Sequence, residues 1–516
     1  MTITAYGSGA YRAARPTADF TSQRAQFDDL QRQLATKERA TSYGELGIDR
    51  RTSLDLNGKI SSLDAWLSGI QLSTTNLKLS STAVENFATM TSESRNDMRS
   101  NTYVASSTGR SAPQVLAEEK FKQTLDLLNT SVNGRYLFSG RTSDTMPTAS
   151  FDEIMNGDGA GKAGLKQLID ERRQADLGAG LGRLTAGGAG VNATITEDGT
   201  HSYGFKLASV SSTSAGITAA RTAGPPADIA LAVVAQPLVG EGITVKLDLP
   251  DGTQTQITLK ARAASSDGPA SESFAIGADV NATAQNLRSA IAAALDKAAK
   301  TTLSASSSQV AAEDFFAGSE NNPPVRVPGP PFATATAAPT NAGAAATTTV
   351  IWYRGDDGLA GLAPGADPVP SARSTATTQV DQGQLVGVGA RANEEAFRIG
   401  LAQFAFMAAE SFPADDANSQ ARYEAMAERV SEKLGFGGTA QKPAEIITEF
   451  GSAQTALSRA KERHESTKNY LTTTLSGIEN VSTEEVATQI LALQTQMQAS
   501  YQVTAMLSKL SLTNYL

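Results

Sequence analysis

The fold is decided by the closing stretch of the chain, STEEVATQILALQTQMQASYQVTAMLSKLSLTNYL (residues 482–516). Ser482 and Glu485 form a capping-box pattern, and Val481 and Val486 form the hydrophobic staple around it. The apolar residues that follow recur in alternating four- and three-residue steps: Val486, Ile490, Leu493, Met497 and Leu507, flanked by Val503, Met506 and Leu510. A helix of roughly 30 residues would be about 45 Å long. With this much apolar surface it needs a partner helix.

The opposite end of the chain offers that partner. A first seam carries Phe20, Phe27, Leu30 and Leu34, and the segment 41–47 with its two glycines interrupts it. A second heptad seam then runs much farther, through Leu56, Ile60, Leu63, Leu67, Ile70, Leu77, Val84 and Met98. Roughly 50 helical residues would extend about 75 Å. This length exceeds that of a usual globular helix and predicts a coiled-coil or bundle partner.

The C-terminal half mirrors this layout. Pro443 opens a helix whose seam includes Phe450, Leu457, His464 and Leu471, and a turn at 479–481 leads into the closing helix. Shorter helices are predicted at 393–411 and from Ser111, with Gln114 completing a capping box and Asn133-Gly134 as the stop signal. The residues predicted to pack helices or subunits are Phe20, Phe27, Leu30, Leu34, Leu56, Ile60, Leu63, Leu67, Ile70, Leu77, Val84, Leu457, Leu471, Ile490, Leu493, Met497, Tyr501, Leu507 and Leu510.

The middle of the chain has a different composition. Between about 150 and 379 it is rich in Ala, Thr, Gly, Ser and Pro, and period-two alternation replaces the heptads. One hairpin is predicted around Asp198-Gly199 and a clearer one around Pro250-Asp251-Gly252. A helix at 282–300, a loop at 321–346 and a strand at 350–353 complete the pattern. The sequence thus predicts an α+β multidomain protein, with a long antiparallel coiled coil or helical bundle of its terminal segments and a β-rich central insertion.

The predicted domain ranges follow these changes of pattern. They are a flexible N-terminal tail at 1–17, an N-terminal helical domain at 18–145, a variable β-rich domain at 146–384 and a C-terminal helical domain at 385–516. At 516 residues the chain is too long for one hydrophobic core.

Composition excludes several function classes. The net charge is −9 and no basic block occurs, which disfavours nucleic-acid binding. The chain has no cysteine and two histidines, so disulfides, thiolate metal sites and His-pair metal clusters are excluded. The first residues carry no apolar run, so we expect no cleaved secretory signal. No segment is apolar over a length that could span a membrane, so we expect no membrane insertion.

No motif predicts catalysis. The segment 156–162, NGDGAGK, departs twice from the phosphate-loop pattern and is interpreted as a flexible turn. His464 is expected to be a buried structural histidine, and His201 is expected to be exposed beside a hairpin turn. Adjacent carboxylates do not face each other on a helix, so they are poor acid–base couples. We therefore predict no enzyme, no metal and no cofactor; an enzymatic or carbohydrate-binding module in 151–379 is the alternative of another class.

Three segments resemble the flagellin superfamily, and within it the type-3 hook-associated proteins of the hook–filament junction. Residues 30–39, LQRQLATKER, are similar to a conserved N-terminal run of the family, with its glycine missing. Residues 499–516 are similar to its C-terminal helix. The segment 133–140 resembles a signature of the junction proteins, and the residues that carry this resemblance are Asn133, Gly134, Tyr136, Leu137, Phe138, Ser139 and Gly140. The resemblance covers roughly 18–145 and 385–516.

The resemblance implies a structural component of the bacterial flagellum. The two chain ends would pair as helices lining the inner tube, with the insertion pointing outward. The implied role is an adaptor that self-associates in a ring between the first hook-associated junction protein and flagellin, with an export chaperone as a further partner. Export to the cell exterior would use the flagellum's own channel without a cleaved signal. The alternative is a flagellin-type main filament subunit; the signature favours the junction protein.

Overall fold

The computed structural model describes residues 8–100, 102–360 and 371–513, and the side chains of all these except 8–17, 344–345 and 507–513. The chain forms two compact units. The described residues within 1–72, 379–385 and 455–516 make up the terminal unit, and those within 73–378 and 386–454 make up the body unit. These units follow contacts in space, whereas the predicted domain ranges follow composition along the chain, and those ranges stay a prediction.

Long helices at both ends bracket a β-rich central region, which confirms the predicted fold class. The helices are α1 (Ser8–Thr36), α2 (Arg50–Ser100), α3 (Ala112–Leu128), α4 (Phe151–Asn156), α5 (Leu165–Leu177), α6 (Val280–Ala298), α7 (Ser304–Ala317), α8 (Ala344–Thr347), α9 (Glu395–Ala409), α10 (Ser419–Lys433), α11 (Pro443–Glu479) and α12 (Thr483–Thr513). Helix α1 begins at Ser8, inside the range assigned to the N-terminal tail.

The strands lie mostly in the central region. They are β1 (Ser131–Val132), β2 (Arg135–Tyr136), β3 (Leu184–Gly187), β4 (Asn192–Glu197), β5 (Lys206–Ser212), β6 (Ile217–Thr222), β7 (Asp228–Val233), β8 (Gly242–Asp248), β9 (Gln254–Arg262), β10 (Ser273–Ala275), β11 (Thr377–Asp381) and β12 (Gln384–Gly387).

The central strands form two four-stranded sheets, in the orders β3-β4-β7-β6 and β10-β9-β8-β5. Alternate residues of both sheets enter one core, which α6 also covers, as its buried Leu287 and Ile291 show. Elsewhere in the body unit α9 is buried on most sides, and Phe397 packs against Phe87 of α2 with ring centroids 5.0 Å apart. Such all-round burial explains the apolar character of α9.

The first predicted hairpin is wrong, and the second is confirmed. Strands β4 and β5 lie in different sheets, because β4 pairs with β3 and β7 while β5 pairs with β8. The Glu197 carboxylate accepts the Leu207 and Ala227 N–H groups at 2.9 and 3.3 Å, so a side chain joins these segments instead of a ladder. Strands β8 and β9 form the second hairpin, with Asp248 opposite Gln254.

His201 is buried, at 8% exposure, so its predicted exposure is also wrong. Its Nδ1 accepts the Tyr203 N–H at 3.2 Å, and its Nε2 lies 2.5 Å from the Asp198 carboxylate and 3.2 Å from the Arg183 Nε. Arg183 lies 3.3 Å from the same Asp198 carboxylate and donates to the carbonyl of Ala335 at 2.5 Å. His201 is thus a buried polar anchor, although Asp198, Thr200 and Ser202 beside it are exposed.

Two further predictions fail for similar reasons. Residues 350–353 form no strand: Trp352 is fully buried and donates its indole N–H to the Phe316 carbonyl at 3.1 Å. The apolar run at 350–353 therefore reflects burial within a loop. Helix α3 ends at Leu128, and Asn133-Gly134 instead form the two-residue turn between β1 and β2. The helices α4, α5, α7, α8 and α10 were not predicted, whereas α6 and α9 agree with the sequence, as does most of the irregular 321–346 segment, at whose end α8 begins.

The buried ion pair of Arg429 and Asp251 generates a stability prediction. The two groups lie 2.7 Å apart with side-chain exposures of 6% and 0%. Burial raises the pKa of the Asp251 carboxyl, but hydrogen bonds from Thr253 and the Arg429 charge outweigh burial and hold that pKa below its ordinary value. Arg429→Met strands this carboxylate, and we expect it to lower the free energy of unfolding by about 3–5 kcal/mol.

Urea unfolding followed by Trp352 fluorescence, in a Trp66→Phe background, measures this loss; Arg135→Met on the exposed surface is the matched control. Because the folded-state pKa of Asp251 lies below the unfolded one, its stabilisation is present at neutral pH. It is lost as the pH falls through the folded-state pKa, below about 4, so the two variants should converge there. A loss below about 1 kcal/mol at pH 7 would contradict the expectation.

Candidate assembly surface on the terminal helices

A short backbone bridge joins the two helix breaks of the terminal unit. The Arg39 N–H donates to the Glu479 carbonyl at 2.7 Å, and the Val481 N–H donates to the Lys37 carbonyl at 3.1 Å. Between them Glu38 and Asn480 form an antiparallel β-bridge. The break between α1 and α2 therefore lies directly against the break between α11 and α12, and this fixes the register of the helices that leave it.

Helices α1 and α12 leave the bridge as an antiparallel pair. Phe20, well before the bridge in α1, stacks on Tyr501, well after it in α12, with ring centroids 5.1 Å apart and planes 16° from parallel. Val486 and Leu493 are buried at 3% and 8% exposure between the helices. The capping Ser482 hydroxyl accepts the Glu485 N–H at 3.3 Å, as its sequence pattern predicts.

The second antiparallel pair consists of the early part of α2 and the late part of α11. The Ser53 hydroxyl donates to the Glu479 carboxylate at 2.5 Å, and Lys468 lies 2.5 Å from the Asp64 carboxylate. Farther along, the Trp66 ring lies 5.3 Å from His464, which is 3% exposed and bonded through Nε2 to the Val380 carbonyl. His464 is thus a buried structural histidine, in agreement with the sequence analysis.

The predicted packing residues differ widely in burial within one molecule. Seven are buried: Leu56, Leu63, Ile70, Leu77, Val84, Leu457 and Leu493. Half-buried ones are Phe20, Phe27, Leu30, Ile60, Leu67, Leu471, Ile490 and Met497. Leu34 and Tyr501 are exposed, and the side chains of Leu507 and Leu510 lie outside the described residues. The seam is therefore only partly covered inside a single chain, and its role in subunit packing stays a prediction.

The outer face of α12 carries no charge beyond its first turn, from Val486 to Met506. From Val486 to Ser508 the sequence contains no acidic, basic or histidine residue. Leu491, Val503 and Met506 are exposed to 64, 55 and 62%. A helix that faces water normally carries charged residues there, whereas exposed apolar surface of this kind marks interaction sites. We call the exposed side of α12 from Thr488 to Met506 the uncharged α12 face.

The neighbouring helices show that this is not a property of the whole unit. Helix α1 exposes Asp19, Arg24 and Asp28, and α11 exposes Glu462 and Arg463. These helices are solvated in the usual way. Unlike the described parts of α1 and α11, α12 therefore presents an outer face that favours contact with another protein surface.

The segment 133–140 has a structural role in the body unit. Asn133 and Gly134 have φ values of 51° and 75°, the left-handed backbone that a two-residue hairpin turn requires. Tyr136 and Leu137 are half-buried. Phe138 is fully buried and meets Phe397 edge-to-face, with centroids 5.7 Å apart.

Backbone bonds then lock this segment onto the loop before α9. The Ala392 N–H donates to the Phe138 carbonyl at 2.8 Å, and the Gly140 N–H donates to Ala390 at 3.0 Å. The Ser139 carbonyl accepts the Asp356 N–H at 2.9 Å. Gly140 has a φ of 65°, and a Cβ there would lie 3.0 Å from Asp356 atoms. This packing explains why the segment needs an aromatic residue and a glycine.

The described residues provide neither an open phosphate loop at 156–162 nor a metal site. In the 156–162 segment the Asp158 carboxylate accepts the N–H groups of Ala160 and Lys162, both at 2.8 Å, so the loop closes on itself. Within 8–100, 102–360 and 371–513, no three acidic, histidine or cysteine side chains are grouped as metal ligands. None of the described helices combines the length and the apolar character needed to cross a bilayer.

Comparison with known proteins identifies the C-terminal region. Residues 440–516 match the family model of the bacterial flagellin C-terminal helical region. No curated protein matches the chain. The matched residues comprise α11, the bridge residue Asn480 and α12. The match supports the flagellin family and a structural subunit of the flagellum. That family is non-enzymatic, is exported, and self-assembles into extracellular flagellar polymers.

The stacked pair Phe20–Tyr501 generates a prediction for the α1–α12 pairing. We expect Phe20→Ala and Tyr501→Ala each to speed amide hydrogen exchange in α12. In a double-mutant cycle their effects on the opening free energy should couple by about 0.5–1.5 kcal/mol, because either substitution alone removes the stack.

The control cycle combines Phe20→Ala with Val503→Ala, which should be additive within about 0.3–0.5 kcal/mol. Equal coupling in both cycles would contradict a specific stack between these two rings.

Proposed function

We propose that this protein is an adaptor of the flagellar hook–filament junction that assembles through its terminal helices. The observation that carries assembly is the uncharged α12 face, which stays exposed although α1 already covers the inner seam of α12. Covering it requires another protein surface, since the described residues leave it in solvent. The junction assignment is supported by the resemblance of the segment 133–140 to the junction proteins.

The proposed partners follow from that position. Copies of this chain self-associate in a ring, and the ring meets the first hook-associated junction protein on one side and flagellin on the other. An export chaperone binds the chain before export, which proceeds without a cleaved signal peptide to the cell exterior. The role is mechanical, so the proposal includes no substrate and no cofactor.

The uncharged α12 face generates the first test. The triple variant Leu491→Gln, Val503→Gln and Met506→Gln alters exposed side chains only, so the protein should be exported and folded as the wild type is. We expect its recovery in purified flagella to fall about tenfold or more, because the contact loses most of its apolar area. Immunoblots of purified flagella measure this; removal of 503–516 should have the same effect.

Tyr470→Gln is the matched control, because Tyr470 is 72% exposed on α11, whose outer face is charged. It should leave incorporation unchanged. Normal incorporation of the triple variant would contradict assembly through the terminal helices.

The second candidate function, a main filament subunit, is separated by the deletion phenotype. Loss of a junction adaptor leaves flagellin production intact but removes its attachment point, so we expect flagellin monomers in the culture medium. Loss of the filament subunit would instead leave bare hooks and no flagellin in the medium. Electron microscopy of the cells and immunoblots of the medium distinguish the two outcomes.

A further inference from the structure

Ile48 is almost entirely in solvent, although hydrogen bonds hold the residues on both sides of it. It is 94% exposed in the turn Gly47–Asp49 between α1 and α2. We call this segment the Ile48 turn. An isoleucine gains free energy when it leaves water, so contact of this side chain with an apolar surface would be favourable.

Hydrogen bonds hold the approach to the turn. The Glu45 carboxylate accepts both the N–H and the hydroxyl of Thr41 at 2.8 Å, and these bonds lower the pKa of Glu45. The Asp49 N–H donates to the Leu46 carbonyl at 3.2 Å. These bonds hold the backbone on both sides of Ile48, so its side chain is kept in an exposed position.

The turn is also tied to the bridge between the helix breaks. The Asp49 carboxylate lies 4.0 Å from the guanidinium of Arg39, whose own N–H belongs to the bridge. This contact places the Ile48 turn near the level at which α12 begins. Leu491 follows the start of α12 by eight residues, a rise of about 12 Å, and is the exposed apolar residue of α12 nearest that level.

The distribution of charge on the terminal helices indicates which surface could cover Ile48. The outer faces of α1 and α11 carry exposed charges, which an isoleucine would desolvate at a cost. The uncharged α12 face has no such groups and presents Leu491 at 64% exposure. Both surfaces are exposed in one molecule, so each is available to a second copy.

We propose that the Ile48 turn of one copy packs on the uncharged α12 face around Leu491 of a second copy. The contact joins two different patches of the same chain, so it is heterologous: each copy offers one patch to each neighbour, and the series closes into a ring or continues as a helix. This inference rests on the self-assembly in the proposed function and specifies which surfaces meet.

Cysteine cross-linking tests the contact cleanly, because the chain contains no cysteine. Ile48→Cys and Leu491→Cys variants are co-expressed in the cells that make this protein, and their flagella are isolated and oxidised. We expect disulfide-linked dimers that contain one of each variant. A chain with both substitutions should give a ladder of larger species, because every copy can link to two neighbours.

Ile48→Cys with Tyr470→Cys is the matched control and should give no mixed dimer. Incorporation of both variants without a 48–491 cross-link would overturn this inference and leave the proposed function standing. Absence of the wild-type protein from flagella would instead overturn the proposed function.

A charge swap provides a second measurement. Ile48→Asp should cut recovery in flagella by about tenfold, and adding Leu491→Lys in the same chain should restore part of it, since every interface then pairs opposite charges. Both sites are exposed, so circular dichroism of the purified variants should match the wild type. Full incorporation of Ile48→Asp would also overturn the inference.

Discussion

The antiparallel backbone bridge between 37–39 and 479–481 is the interaction on which the terminal unit depends. Two hydrogen bonds and one bridge residue on each side bring residues from opposite ends of the chain into contact. From this point α1 pairs with α12 in one direction, and α2 pairs with α11 in the other. A shift of the bridge by one residue would misalign both pairs, so the stack of Phe20 on Tyr501 and the bond from Ser53 to Glu479 both rely on its register.

Pairing within one chain buries only the inner side of α12. Its inner residues Val486 and Leu493 are covered, whereas its outer face combines exposed apolar side chains with a complete lack of charge. A solvated helix would gain from ion pairs on that face, and α11 has them, as the Lys461–Glu465 pair shows. An uncharged, apolar outer face is favourable only where another subunit covers it. The composition of α12 is therefore explained by assembly, in agreement with the flagellin-type match of residues 440–516.

The helical framework could be predicted from sequence because its signal is long and local. Heptad seams over tens of residues leave little choice but helix, and Ser482 marks a start that the structure confirms. The predictions that failed concern which segments of the chain contact each other. Alternation predicted β4 and β5 but not that they join different sheets. His201 was expected to be exposed because its contact with Arg183, which lies 18 residues away, leaves no local pattern in the sequence. Helix α7 was missed because the buried residues of its first half include Ser306, Ser307 and Ser308, which carry no hydrophobic signal, and its buried phenylalanines lie only near its end. The bridge and the exposed Ile48 turn were missed because no periodic pattern describes them.

The most direct measurement is amide hydrogen exchange of α12 in the monomer and in isolated flagella. If α1 covers the inner side of α12 and a second copy covers the outer side, exchange in Thr488 to Met506 should be partly protected in the monomer and at least tenfold slower after assembly. Exchange in the β8–β9 hairpin should not change. Full protection of α12 already in the monomer, or no change on assembly, would contradict this account.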